Sequence, residues 1–163
     1  MRANDAIKLG IDTADMISTG YLGDLTDAEF LHRPCPGANH INWQVGHLLC
    51  SEHDMISGVS PGVMPPLPAG FAEKYKSENS GIDDPAKLAN KEELMRVYKE
   101  QRAGTLKALA AATDTALAQP SAERFQTYAP TVASLFSLQG SHWLMHAGQW
   151  AVIRRQLGRK PLF

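Results

Sequence analysis

Two histidines four residues apart, His142 and His146, are the residues of this sequence best suited to chemistry. On a helix, residues at i and i+4 lie on one face about one turn apart, so both imidazoles can reach one metal ion. A buried pair bonded to backbone carbonyls or other side chains fits the same spacing, so both interpretations stay open. The pair belongs to an apolar seam with three–four spacing, whose members are Leu135, Gln139, His142, His146, Gln149, Ile153 and Leu157.

A third imidazole, His47, lies in an earlier segment with helical spacing. Gly46 beside it weakens a helix by about 1 kcal/mol relative to alanine, which indicates a close approach by another helix or a bound group. If the face of His47 meets the seam, three neutral imidazoles converge. Three protein ligands with one open position are typical of a catalytic zinc site.

Three further polar residues are candidates for supporting roles. Asp54 and Glu52 could bond a ligand ring or act as a base, although a solvated charge is the simpler interpretation for a carboxylate. Gln149, on the seam, could bond a ligand ring or a substrate. No residue of the sequence is assigned as catalytic, because none is clearly placed as a base beside the histidines.

The remaining histidines and the two cysteines receive weaker predictions. His53 is expected either at the surface or in packing, while His40 and His32 are expected to be exposed. Cys50 is interpreted as small apolar filler on a helix and Cys35 as a loop residue. Two cysteines are too few for a disulfide framework.

Four long segments with helical periodicity position these residues. They span residues 4–23, 39–59, 90–113 and 131–158, and nothing among them alternates like a strand. A capping box at Thr26, cap residues at Asn39 and Asn90, and a terminal Gly158 mark their ends. All three tryptophans are expected in the core. The pattern predicts an all-α helical bundle.

A proline-rich stretch, residues 60–85, separates the second and third long helices. It contains five of the ten prolines, which block regular helix: Pro61, Pro65, Pro66, Pro68 and Pro85. A loop of this length is often a lid or the wall of a binding site. A plain surface excursion is an equally good interpretation.

Composition limits the classes of function. The 163 residues are 44% hydrophobic and 20% charged, with a formal net charge of −1, as expected for one globular domain over residues 1–163. The charge argues against nucleic-acid and anionic-membrane partners. No run approaches the roughly 20 apolar residues of a membrane span, and no secretory signal is evident, so a cytoplasmic protein is expected. An exposed apolar helix face could form a homodimer.

Two segments, residues 42–52 and 142–163, resemble the DinB-like superfamily of bacterial four-helix metal proteins. The similarity lies in Trp43-x-x-Gly46-His47-Leu48, His142-x-x-x-His146, Gly148-Gln149 and Ile153-Arg154-Arg155-x-Leu157-Gly158. It implies an antiparallel four-helix bundle with an unusual connection order. It also implies a divalent metal ion, with zinc or nickel as the leading candidates, held by His47, His142 and His146.

The resemblance also suggests a reaction. Some DinB-like proteins are transferases that use low-molecular-weight thiols such as bacillithiol or mycothiol, while others are isomerases. The expected function is a metal-dependent S-transferase that joins such a thiol to a small electrophile, with a hydrolase as another metal-dependent possibility. The alternative is a non-catalytic metal-binding or stress-related binding bundle. The family name refers to induction by DNA damage and implies no contact with DNA.

Overall fold

The computed structural model describes residues 2–162. Met1 and Phe163, the ends of the predicted domain, lie outside the described residues, as does the last residue of the second resembling segment. The helices are α1 (Ala3–Gly23), α2 (Asp27–Phe30), α3 (Ile41–Val59), α4 (Phe71–Lys74), α5 (Lys91–Ala111), α6 (Asp114–Leu117) and α7 (Val132–Gln156). Short 3-10 turns lie at Ser77–Asn79, Pro85–Lys87 and Glu123–Phe125. No strand forms within residues 2–162, which confirms the predicted all-α class.

Local signals set most helix ends where the sequence predicts them. The Thr26 side chain accepts a hydrogen bond from the backbone of the third residue of α2, in the predicted capping box. Asn90 caps α5 and Thr131 caps α7 in the same way. Gly158 follows α7 with a φ of 73°, the left-handed conformation that favours glycine at a helix end.

The cap of α3 differs from the prediction. His40, and not Asn39, precedes the helix, and its ring Nδ1 accepts a hydrogen bond from the backbone N–H of Trp43 at 3.0 Å. The Nε2–H of the same ring donates to the carbonyl oxygen of Ile82 at 2.8 Å. The His40 side chain is also fully buried. The prediction that it is exposed is wrong, because both of its nitrogens are used inside the fold.

The four long helices form a bundle in which two helices run one way and two the other. Contacts between α3 and α7 pair early residues of one with late residues of the other, so these helices are antiparallel. The pairs are Gln44 with Trp150 and Met55 with Gln139. Helix α1 runs parallel to α7, as Gly10 lies against Gly140 and Asp24 against Arg154. These helix directions are compatible with the antiparallel bundle and the unusual connection order that the resemblance implies.

The long crossover between α3 and α5 is required because these two helices run parallel. Their register follows from the bonds Asn42 to Ala89 and His53 to Gln101. A chain that leaves the end of α3 must return the length of the bundle before α5 can begin. Residues 60–90 make this return, with α4 and two 3-10 turns along the way.

The core lies between the long helices and includes the three tryptophans, as predicted. Trp143 and Trp150 are among its largest fully buried side chains, and Trp43 is also buried. None of the helices between residues 2 and 162 has the length and apolarity that a membrane crossing requires.

Candidate metal centre

The histidine-bearing faces of α3 and α7 meet inside the bundle. One nitrogen atom from each of His47, His142 and His146 lies within 4.8 Å of the other two. The ring centroids are 5.6 Å apart for His47 and His142 and 6.0 Å apart for His47 and His146. For His142 and His146 the separation is 5.1 Å. We call these three residues the histidine triad.

Burial keeps the triad in its uncharged form. His146 is buried, and His47 and His142 are half-buried. Loss of hydration lowers the pKa of His47. Burial lowers the pKa of both His142 and His146 to about 4, and the neighbouring imidazoles of the triad add to the effect. Because histidine binds a metal ion as neutral imidazole, the triad offers its lone pairs at neutral pH without first losing protons.

Two side chains from the first turn of α3 contact the triad. The indole of Trp43 stacks on the ring of His47, with 5.1 Å between centroids and 6° between planes. The amide oxygen of Gln44 lies 2.9 Å from Nδ1 of His146. These contacts restrict the rotation of two of the three rings.

The donor set of the triad fits a divalent metal ion. Within residues 2–162, the ring nitrogens of His47 and His142 have no hydrogen-bond partner. Solvent can reach these nitrogens, so their lone pairs are available to a bound ion. No carboxylate or thiol of the described residues joins the cluster, so three imidazoles are the complete protein donor set found there. The triad can therefore hold a metal ion and leave a coordination position open.

Gln149 does not support the triad. Its side chain is exposed on the outer face of α7, so the prediction that it lies on the buried seam is wrong. Gln149 lies three residues after His146, which is close enough on a helix to share a face with it. In the bundle, however, the next residue, Trp150, is buried and Gln149 is exposed. Gln44 on α3 provides the amide beside His146, and sequence reasoning missed it. Its position three residues before His47 is the signal that could have identified it.

Neither carboxylate of α3 lies where a base for the triad would be needed. Asp54 is exposed, and one of its oxygens accepts a hydrogen bond from Arg124 at 3.0 Å. The interpretation of Asp54 as a solvated charge therefore agrees with the structure. Glu52 has the opposite surroundings, since its side chain is completely buried. A solvated charge is the wrong description of Glu52.

Glu52 is bonded on both carboxylate oxygens. One accepts a hydrogen bond from the hydroxyl of Thr105 at 2.6 Å and lies 3.1 Å from the Arg102 guanidinium. The other lies 3.3 Å from the indole N–H of Trp143. Burial raises the pKa of Glu52, although the charge of Arg102 opposes that effect. This carboxylate holds helices together and has no free oxygen to offer a reaction.

The other histidines and the cysteines lie outside the triad. His53 is half-buried and its ring contacts the amide oxygen of Gln101 at 3.0 Å, which agrees with a packing role. His32, predicted to be exposed, is half-buried because the end of α7 lies beside it. Cys35 is exposed in its loop. Cys50 is half-buried and packs against the main core cluster, which agrees with the predicted role of small apolar filler, and burial raises the pKa of its thiol to about 12.

Gly46 marks a close approach by the crossover between α3 and α5. A Cβ atom at position 46 would lie 2.2 Å from the ring of Tyr75, the residue that follows α4. The hydroxyl of Tyr75 donates to the Asn42 side chain at 3.1 Å. In addition, the Trp43 indole donates to the carbonyl oxygen of Lys76 at 3.3 Å. The crossover therefore packs on the half of α3 that carries Trp43 and His47, and it is more than a surface excursion.

Comparison with known protein families agrees with this architecture. The profile of the DinB superfamily matches residues 11–150, a span that includes α3, the whole triad and most of α7. The chain belongs to the DinB superfamily. A search of curated proteins gives no match. Among the described residues of this DinB superfamily protein, the triad is the one cluster of metal-ligating side chains found.

Proposed function

We propose that this DinB superfamily protein binds one divalent metal ion through His47, His142 and His146. The observation that carries the proposal is the convergence of three imidazoles from two helices, with nitrogens within 4.8 Å of one another. Burial keeps the rings neutral, and Trp43 and Gln44 hold two of them in place. A structural zinc would more usually have four protein ligands, so a three-ligand set favours an ion that remains accessible to a small molecule.

Zinc or nickel is the metal we propose. Three imidazoles without a thiolate or a carboxylate suit both ions, and cellular supply rather than affinity decides between such metals. Zinc tolerates three protein ligands in a tetrahedral site with one position open. Nickel accepts the same nitrogen donors.

The proposed activity is transfer of a low-molecular-weight thiol to a small electrophile. A divalent ion at such a site lowers the pKa of a thiol or water that binds to it. Hydrolysis would also need a base beside the attacking water. Glu52 is fully bonded, Asp54 is exposed beside Arg124, and no other carboxylate of the described residues joins the triad. A thiol, which is a good nucleophile once deprotonated, has less need of such a base, and this supports thiol transfer over hydrolysis.

Metal content tests the ligand assignment. Protein purified without an affinity tag should contain stoichiometric zinc or nickel by elemental analysis. The double variant His142→Ala/His146→Ala should contain none, and His47→Ala should lose most of it. His53→Ala is the matched control, since His53 is a half-buried histidine of α3 bonded to Gln101 and outside the triad. Stoichiometric metal in the double variant would contradict the proposal.

A non-catalytic metal-binding bundle is the second candidate. It is favoured by the same lack of a carboxylate or thiol beside the triad among the described residues. Cobalt-substituted protein separates the two candidates, because the visible absorption of cobalt reports its ligands. Added 2-mercaptoethanol should produce a thiolate-to-cobalt band if the fourth position is open. An unchanged spectrum at saturating thiol would favour the non-catalytic bundle.

A further inference from the structure

The buried amide of Gln44 contacts three partners at once. Its oxygen lies 2.9 Å from Nδ1 of His146 and 2.8 Å from the indole N–H of Trp150. Its nitrogen lies 2.6 Å from the backbone carbonyl oxygen of Asn39. The side chain is fully buried. Both ends of the amide are therefore engaged by the protein, without help from solvent.

The chemistry of two partners fixes the orientation of this amide. An indole N–H can only donate, so Trp150 must face the oxygen of Gln44. A backbone carbonyl can only accept, so Asn39 must face the NH₂ group. The reversed amide would place two donors against each other at one end and two acceptors at the other. Its orientation thus follows from chemistry and not from the placement of hydrogen atoms.

The fixed amide determines the tautomer of His146. The oxygen of Gln44 only accepts, so Nδ1 of His146 must carry the proton that it receives. In a neutral imidazole the other nitrogen, Nε2, then holds the free lone pair. We propose that Gln44 is a positioning residue that sets His146 in the Nδ1–H tautomer and presents Nε2 to the triad. The tautomer is a property of the metal-free chain, and only its use in metal binding rests on the proposed function.

His146 is set apart from the other two triad residues by this arrangement. Within residues 2–162, His47 and His142 have no hydrogen-bond partner that would select a tautomer, and His47 is restricted only by stacking on Trp43. Partners behind a ligating histidine commonly contribute 10–100-fold to metal affinity. Gln44 is the residue from which we expect such a contribution here.

Nuclear magnetic resonance of the metal-free protein tests the tautomer directly. In protein with ¹⁵N-labelled histidine, long-range ¹H–¹⁵N spectra should show His146 protonated on Nδ1. In Gln44→Met, a side chain of similar length that replaces the amide oxygen with a weakly accepting sulfur, His146 should shift to a mixture of tautomers or to Nε2–H. Zinc affinity, measured by competition with a chelator, should fall about 10–100-fold in this variant.

Two further variants separate positioning from general loss of stability. Gln139→Met removes another buried amide from the α3–α7 interface, one that bonds Leu135 and Met55, and should leave the His146 spectrum and zinc affinity unchanged. Gln44→Glu keeps an acceptor toward His146 and Trp150 and should retain the Nδ1–H tautomer. Retention of the proton on Nδ1 in folded Gln44→Met would overturn the proposal.

The outcomes also distinguish this proposal from the proposed function. If wild-type protein shows His146 as Nδ1–H but binds neither zinc nor nickel, metal binding is wrong and the tautomer assignment stands. If wild-type protein binds zinc but His146 carries its proton on Nε2 before metal is added, the role of Gln44 is wrong. The wild-type spectrum decides this even if Gln44→Met does not fold.

Discussion

At the scale of single residues, the surroundings of each imidazole determine its chemistry more than its position in a motif does. The triad combines burial with unused lone pairs and is suited to bind an ion. His40 is more deeply buried than the triad and uses both nitrogens, one to cap α3 and one to bond Ile82. His40 is therefore a structural residue whose protonation should oppose folding. Burial lowers its pKa below the ordinary value of 6.5.

Folding stability should depend on the charge of His40. The unfolded chain binds a proton at this residue below about pH 6.5, whereas the folded chain resists it, so stability falls as pH decreases from 8 to 5. His40→Asn keeps a good N-cap residue and removes the titrating group. Urea unfolding of both metal-free proteins at pH 8 and pH 5 should show a smaller loss in the variant. An equal loss in both proteins would contradict this role of His40.

At the scale of elements, the crossover and α3 depend on each other through Gly46. The Tyr75 ring occupies the space that a side chain at position 46 would fill. Its hydroxyl also accepts from the backbone N–H of Ala89, just before α5 begins. One aromatic side chain therefore joins the beginning of α3, the end of α4 and the approach to α5. Gly46 is required by this packing and not by its backbone angles.

The same substitution at two glycines tests this packing. Gly46→Ala forces the Tyr75 ring to move and should destabilise the protein by about 1–3 kcal/mol. Gly148→Ala is the matched control, because position 148 is also within a long helix but a Cβ atom there would have no neighbour within 4 Å. It should stabilise the protein by about 0.5–1 kcal/mol through helix propensity. Urea unfolding measures the change in stability of each variant. Equal changes in Gly46→Ala and Gly148→Ala would show that Tyr75 does not restrict position 46.

At the scale of the whole molecule, one arginine connects all four long helices. Arg102 of α5 lies 3.1 Å from Glu52 of α3 and 3.1 Å from Asp15 of α1. It also donates to the backbone carbonyl oxygen of Gln139 on α7 at 3.2 Å. Two buried or half-buried carboxylates thus share one buried guanidinium. Burial raises the pKa of both Glu52 and Asp15, so the arginine is what makes their charged forms tolerable.

Removal of Arg102 should affect the entire bundle. Arg102→Met leaves Glu52 without its cation and should cost about 3–5 kcal/mol at pH 7. Removal of the Arg102 charge should raise the folded-state pKa of Glu52 further above 4.5. The variant should therefore lose more stability than the wild-type protein as pH rises from 4 to 7, because the unfolded chain releases a proton that folded Glu52 keeps. Arg96→Met, which removes an exposed pair with Glu100 on the same helix, should cost less than about 0.5 kcal/mol. Chemical unfolding of the two variants at pH 4 and pH 7 measures these losses of stability. Similar losses in Arg102→Met and Arg96→Met would refute the central role of Arg102.

The sequence by itself determined the features that depend on neighbouring residues. Capping at Thr26 and Asn90 and the left-handed Gly158 define helix ends through contacts within a few positions. Periodicity within α7 places His142 and His146 on one inward face. These predictions were correct because the hydrogen bonds and side-chain directions that decide them are local.

Only the tertiary structure decided which faces meet. Gln44 and His146 are 102 residues apart in the chain, and no local pattern shows that their side chains touch. The burial of Glu52 and His40 and the exposure of Gln149 likewise depend on which helix packs against which. Helix ends are set by bonds within one turn of the chain, whereas the surroundings of a side chain are set by distant segments brought together as the core excludes water. For this reason the sequence supplied the ligand candidates, and the fold supplied the partners that orient them.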